Sequence, residues 1–62
     1  METRLFTRRY KNWAYYSRYT DESKTTTERV VKWNGTVNKV LIDSETREPY
    51  FINNNIKYII NL

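Results

Sequence analysis

Period-two patterning dominates this chain. In Ile56–Leu62, the residues Ile56, Tyr58, Ile60 and Leu62 share one parity and Lys57, Ile59 and Asn61 the other. That is the pattern of a half-buried strand. Turn signals cut the rest of the chain into pieces of similar length. Asn34-Gly35 is the strongest of them, because both residues accept the positive φ of a type I′ hairpin turn. It separates Thr25–Trp33 from Thr36–Asp43. Asp21–Lys24 is a polar break between Trp13–Thr20 and Thr25–Trp33. Ser44–Pro49 is a longer loop ended by the only proline, and Asn53–Asn55 divides Tyr50–Ile52 from Ile56–Leu62. A further strand lies near Thr3–Tyr10, with a bend at Lys11-Asn12.

One segment also fits a helix. Phe6, Tyr10, Trp13, Ala14 and Ser17 follow the spacing i, i+4, i+7, i+8, i+11 of an amphipathic face. Strands are favoured there, because aromatic residues are mediocre helix formers and no N-cap with a following acid precedes them. The elements therefore predict a single all-β domain over residues 1–62. Its form is a small antiparallel meander of five to six strands, either an SH3-like barrel or an open curled sheet. The alternative is an α+β fold with a helix within residues 4–19.

The turns also predict register. A two-residue turn at Asn34-Gly35 sets Trp33 opposite Thr36, Val31 opposite Asn38, Arg29 opposite Val40 and Thr27 opposite Ile42. Val30 then faces Lys39, Lys32 faces Val37 and Glu28 faces Leu41. A four-residue loop at Asp21–Lys24 sets Ala14 opposite Val31, Tyr16 opposite Arg29, Trp13 opposite Lys32 and Tyr15 opposite Val30. Opposed residues share a face. One face then holds Ala14, Tyr16, Val31, Trp33, Val40 and Ile42, with Arg18 and Arg29 near its edge, and is assigned to the core. The other holds Trp13, Tyr15, Tyr19, Val30, Val37, Lys32, Lys39 and Leu41. Its rings beside cations have the layout of a sheet on which bases stack. A plain packing role for Trp13 and Tyr15 competes with this, since a small domain needs its large rings inside. A slip of one residue at either turn exchanges the faces.

Composition narrows the chemistry. The chain has 62 residues with no cysteine and no histidine. Disulfides, thiolate chemistry, the usual zinc ligands and histidine acid–base catalysis are absent. No Gly-rich phosphate loop is present, and most carboxylates fall in polar loops. The chain is therefore expected not to be an enzyme, and no cofactor or metal is expected. No secretory signal or long apolar run is visible, which predicts a soluble, cytoplasmic protein without membrane contact. Frequent Asn, Ile, Lys and Tyr are usual in proteins from AT-rich genomes, which points to a phage, plasmid or low-GC bacterial origin as an expectation.

Charge gives the sharpest functional hint. Through Thr20 there are five cations and one acid; from Asp21 onward there are six of each. All of the +4 net charge thus sits in the first third of the chain, with six of its ten aromatic residues. Cations interleaved with rings suit phosphate neutralisation and base stacking. The candidate binding residues are Arg8, Arg9, Lys11, Trp13, Tyr15, Arg18, Tyr19, Lys32 and Lys39. The leading expectation is a non-enzymatic module that binds nucleic acid, single-stranded or structured RNA or DNA. The alternative is a phage- or mobile-element-type inhibitor or adaptor, its basic patch docked on an acidic protein surface; Tyr, Trp and Arg are also hot-spot residues of protein interfaces. The strand Ile56–Leu62 either closes the domain or pairs with a second copy to give a homodimer.

Overall fold

In a computed structural model of the chain, Met1–Leu62, seven strands form two sheets and no helix is present. The strands are β1 (Glu2–Phe6), β2 (Trp13–Tyr19), β3 (Thr27–Trp33), β4 (Thr36–Lys39), β5 (Leu41–Ile42), β6 (Pro49–Asn53) and β7 (Ile56–Ile60). One sheet has the order β1-β7-β6-β5, the other β2-β3-β4. The fold is all-β, as the patterning predicts, and it is an open arrangement rather than a closed barrel. The segment with helical spacing becomes the end of β1, a turn and the start of β2. In that turn the Tyr10 N–H donates to the Thr7 carbonyl (3.2 Å).

Two features raise the strand count and break the simple meander. The predicted strand Thr36–Asp43 splits at Val40. Its first half pairs with β3 and its second with β6, so the chain passes from one sheet to the other at this residue. The Val40 N–H still donates to the Arg29 carbonyl (2.9 Å), so the expected Arg29–Val40 pairing is kept. Beyond it the expected partners Thr27–Ile42 and Glu28–Leu41 separate, because Leu41 and Ile42 face Tyr50 and Pro49 instead. The other feature is β1, which lies parallel to β7 with Leu5 beside Ile59 and Phe6 beside Ile60. β7 is therefore an interior strand with both edges filled by β1 and β6. Of the two roles expected for it, closing the domain is the one it fills. Pairing with a second copy through β7 has no open edge to use.

The Asn34-Gly35 turn forms as expected, with φ of 51° and 83°, and fixes all four β3–β4 pairs in the predicted register. Asparagine replaces glycine elsewhere. Asn54 and Asn55 both take positive φ and close β6 onto β7, and Asn12 does so at the entry to β2. Asn tolerates this left-handed region better than other residues with a Cβ.

The β2–β3 register is shifted by one residue from expectation. Trp13 faces Trp33, Tyr15 faces Val31, Tyr16 faces Val30 and Arg18 faces Glu28. The cause is the loop. Thr20 and Thr26 bond to each other, the Thr20 N–H donating to the Thr26 carbonyl (3.1 Å), so five residues separate the paired ends instead of four. Lys24 takes up the extra residue with φ of 57°. Side-chain parity then flips along the whole of β2. Trp13 and Tyr15 face the space between the sheets, while Ala14 and Tyr16 face outward.

Phe6, Val31, Phe51 and Tyr58 form the buried cluster, with Tyr10, Trp13, Tyr15, Trp33, Val40, Ile56 and Ile60 packed around it. Phe6 stands at its centre. Its ring lies 4.9 Å from Tyr10, 5.1 Å from Trp33 and Phe51, 5.8 Å from Trp13 and 6.2 Å from Tyr58, centroid to centroid. One polar group joins the core. The Asn38 amide donates to the carbonyls of Val31 and Thr36 (both 3.2 Å) and accepts from Asn53 Nδ2 (3.1 Å), tying β4 to β6 across the sheets. Each of its buried atoms is satisfied, so it specifies the packing without an unpaired polar cost. Replacing Phe6 by Ala removes the ring that touches both sheets. The expected loss is about 3–5 kcal/mol, comparable to the whole stability of about 3–9 kcal/mol for a domain this size. Urea unfolding followed by tryptophan fluorescence should find the variant largely unfolded in buffer.

Candidate functional site

Three segments converge at one end of the β2-β3-β4 sheet. β2 begins there at Trp13, β3 ends there at Trp33, and the β1–β2 link is tied to the β3–β4 turn by the Asn34 N–H donating to the Asn12 carbonyl (3.0 Å). Arg8 and Arg9 occupy the central positions of the Thr7–Tyr10 turn, and Lys11 follows; all three are exposed. Two adjacent arginines in a strand would point to opposite faces. The turn instead lets both reach solvent. Lys32 is exposed one residue before Trp33. None of these four cations has an ion-pair partner. No Asp or Glu lies between Thr3 and Thr20, and none between Lys32 and Lys39. Asp21 and Glu22 sit in the β2–β3 loop, at the opposite end of the same sheet.

The outward face of this sheet continues from that end. Its rows, read across the paired strands, are Ala14–Lys32–Val37, then Tyr16–Val30–Lys39, then Arg18–Glu28. Val30 is fully buried although it faces away from the core cluster, under the larger side chains of its row. Tyr16 and Val37 are each about two-fifths exposed, at 40% and 43%. Arg18, one of the candidate binding residues, is held by Glu28 (Nε–Oε1 2.9 Å), and Lys39 approaches the same carboxylate (3.6 Å). The two cations hold the Glu28 carboxyl below its ordinary value, Arg18 through its hydrogen bond most of all.

The candidate rings are redistributed. Trp13 and Tyr15 point between the sheets and pack on the core cluster, so the expected outer platform does not include them. Tyr19 is 56% exposed at the far end of β2, with Lys24 Nζ 5.9 Å from its ring centroid. The ring on the outward face is Tyr16, which the one-residue slip hides from a sequence reading.

The space between the sheets opens at one place into a cleft of about 420 Å³, lined by Tyr15, Arg29, Val40, Ile42 and Pro49. Its walls are mostly apolar. Arg29, exposed and without an acidic partner, is its only charge. The volume is within the usual range for small ligands, and the lining suits an apolar group with an anionic end. The Asn34-Gly35 register places Arg29, Val40 and Ile42 on one face, but nothing in the sequence spacing adds Tyr15 and Pro49 to them.

A second surface has opposite character. On the outward side of the four-stranded sheet, Leu5, Ile59, Tyr50 and Leu41 form one row across all four strands. Leu5, Leu41 and the neighbouring Ile52 are 54%, 41% and 44% exposed. The charge beside them is neutralised: Lys57 bonds Asp43 (2.7 Å) and lies over the Tyr50 ring, 4.5 Å from its centroid. Asp43 also accepts from the N–H groups of Glu45 and Thr46 (2.8 and 3.0 Å), which folds the β5–β6 loop.

Comparison with protein families, curated proteins and solved structures finds no match to this chain. No helix long and apolar enough to cross a membrane is present.

The Asp43 carboxyl is held well below its ordinary value of 3.8, first by its bond to Lys57 and then by the two backbone donors. A carboxyl lowered on folding stabilises the native state above its unfolded pKa, and this is lost as pH falls toward the folded pKa. Thermal unfolding should therefore show stability decreasing from pH 5 to pH 2. In Asp43→Asn, which keeps an acceptor for the loop but no titrating charge, that decrease should be smaller.

Proposed function

We propose that this protein is a small non-enzymatic module that binds nucleic acid at the basic end of its three-stranded sheet. The supporting observation is the group Arg8, Arg9, Lys11 and Lys32: four exposed cations with no ion-pair partner at an end that carries no acid. They neutralise phosphates, and Lys39 and Arg18 extend the track along the outward face, weakened by Glu28. Tyr16 is the ring offered to a base, in the role that Trp13 and Tyr15 give up to the core. Stacking on one ring contributes about 1–3 kcal/mol per base, and phosphate contacts supply the salt-dependent remainder.

Fluorescence anisotropy with single-stranded DNA and RNA oligomers across a salt series tests this. Affinity should fall with salt, with a log–log slope of about −0.7 per phosphate contact. The triple variant Arg8→Gln/Arg9→Gln/Lys11→Gln should flatten that slope by about 2, while Tyr16→Ser should lower affinity and leave the slope unchanged. Absence of binding at low salt, or an unchanged slope in the triple variant, overturns the reading.

The apolar row Leu5–Ile59–Tyr50–Leu41 supports a second reading, in which the chain is an inhibitor or adaptor that docks on a host protein. Exposed apolar residues in a contiguous row are the usual mark of a protein contact. Capture from nuclease-treated lysate separates the readings. A stoichiometric protein that survives nuclease favours the second, and loss of every partner favours the first.

A further inference from the structure

β2 has only one neighbour, β3, and its other side is an open edge. At seven residues it is the longest edge strand in the molecule; β1 has five, β4 four and β5 two. Natural edges of this length are usually blunted by proline, bulges or inward charges. β2 contains no proline or glycine, and its one charge, Arg18, is occupied by Glu28.

The direction of its free backbone groups follows from the ladder. The Thr20–Thr26 and Asn12–Asn34 hydrogen bonds lie in the same register as β2–β3, one just beyond each end of β2. Hydrogen-bonded and non-bonded positions alternate along an antiparallel pair. Ala14, Tyr16 and Arg18 therefore direct their N–H and C=O groups to β3. Trp13, Tyr15, Ser17 and Tyr19 direct theirs to the open edge.

We propose that β2 pairs antiparallel with β2 of a second copy, about a two-fold axis through Tyr16. The edge is complementary to itself in this register. Trp13 meets Tyr19 of the second copy and Tyr15 meets its Ser17, so all four outward residues are paired. A shift of the axis to Tyr15 or to Ser17 pairs only three of them. The same register sets Arg18 opposite Ala14, so no like charges oppose each other, and places the two Tyr16 rings together on the axis. It also brings the exposed Tyr19 ring beside Trp13 of the second copy. The product is one six-stranded sheet that joins the two outward faces. A chain with only six buried residues has particular need of such a contact.

This assembly does not depend on nucleic-acid binding, and salt separates the two. Each copy carries +4, so mutual repulsion weakens pairing at low salt, whereas phosphate binding is strongest there. Sedimentation equilibrium from micromolar to millimolar concentration should find a dimer that tightens as salt rises. Ser17→Pro removes a backbone donor that has no partner within one copy, a change that edge strands tolerate. It should give a monomer with an unchanged circular dichroism spectrum. The chain has no cysteine, so register can be read by cross-linking. Tyr16→Cys should oxidise to a disulfide dimer, since non-bonded pairs bring Cα atoms to about 4.5 Å, within disulfide reach. Arg18→Cys should not. Should Ser17→Pro fail to fold, Tyr16→Lys opposes two lysines on the axis and should raise the dimer dissociation constant at least tenfold. A wild-type monomer at every concentration, a dimer that persists in a folded Ser17→Pro or Tyr16→Lys variant, or equal cross-linking at positions 16 and 18 overturns the proposal.

Discussion

The Phe6 ring holds the two sheets together, and much of the remaining surface follows from that. It touches rings from the β1–β2 link, from both central strands of the inner faces and from the strand beside it. A domain of this size has too little apolar volume to build a core from aliphatic residues alone. Large rings bury 150–250 Å² each, by the usual values, and edge-to-face contacts among them fix their orientation. Trp33 shows the consequence. It packs on Phe6, Tyr10, Phe51 and Tyr58 within 5.1–6.1 Å, so it is committed to the interior although it adjoins the hairpin turn. Of the rings interleaved with cations between Arg8 and Tyr19, Tyr10, Trp13 and Tyr15 have the same origin, whereas Tyr16 and Tyr19 stay exposed. Tyr10 and Trp13 turn inward to Phe6, and Arg8, Arg9 and Lys11 beside them are left outside.

Asparagine does the work that glycine does in other small β proteins. The single glycine serves one turn, and Asn12, Asn34, Asn54 and Asn55 supply four of the other six left-handed positions, Lys24 and Arg47 the remaining two. Asn38 and Asn53 contribute differently, as a satisfied amide pair that joins the sheets near the point where the chain crosses between them. The crossover at Val40 and this polar tie set how far the sheets can close. Beside Val40, on the side of Ile42 and Pro49, the sheets part and leave the cleft that Arg29 lines.

Local chemistry made much of this legible. The Asn-Gly turn specifies both its own geometry and the β3–β4 register, because a two-residue loop leaves no freedom of alignment. Strand class follows from β-branched and aromatic residues in alternation. The β2 register was not legible, because a polar loop of mixed residues carries no signal that distinguishes four residues from five. That single residue moves Trp13 and Tyr15 inward and Tyr16 outward, and so changes which ring belongs to the candidate site. Long-range choices were hidden as well. Nothing near Glu2–Phe6 announces a parallel partner at Ile56–Ile60, and nothing near Arg18 announces that Glu28 lies beside it once the register shifts. The exposed cations of the β1–β2 link were legible, since they need only a lack of nearby acids.

That lack is what folding does not explain. Glu2, Glu28 and Asp43 each bind a cation, and the remaining acids lie in the loops of the two hairpins β2–β3 and β5–β6. Arg8, Arg9, Lys11 and Lys32 contribute no ion pair, and Arg8, Arg9 and Lys11 are exposed side chains of a link with no strand pairing of its own. Like charges gathered at one end repel over distances below the Debye length of about 8 Å, which opposes compaction. A single glutamate at any of these positions would lower that repulsion at no cost to the rings beneath. Four exposed cations left without ion-pair partners at one end of the sheet are what the proposed binding of an anionic ligand would account for.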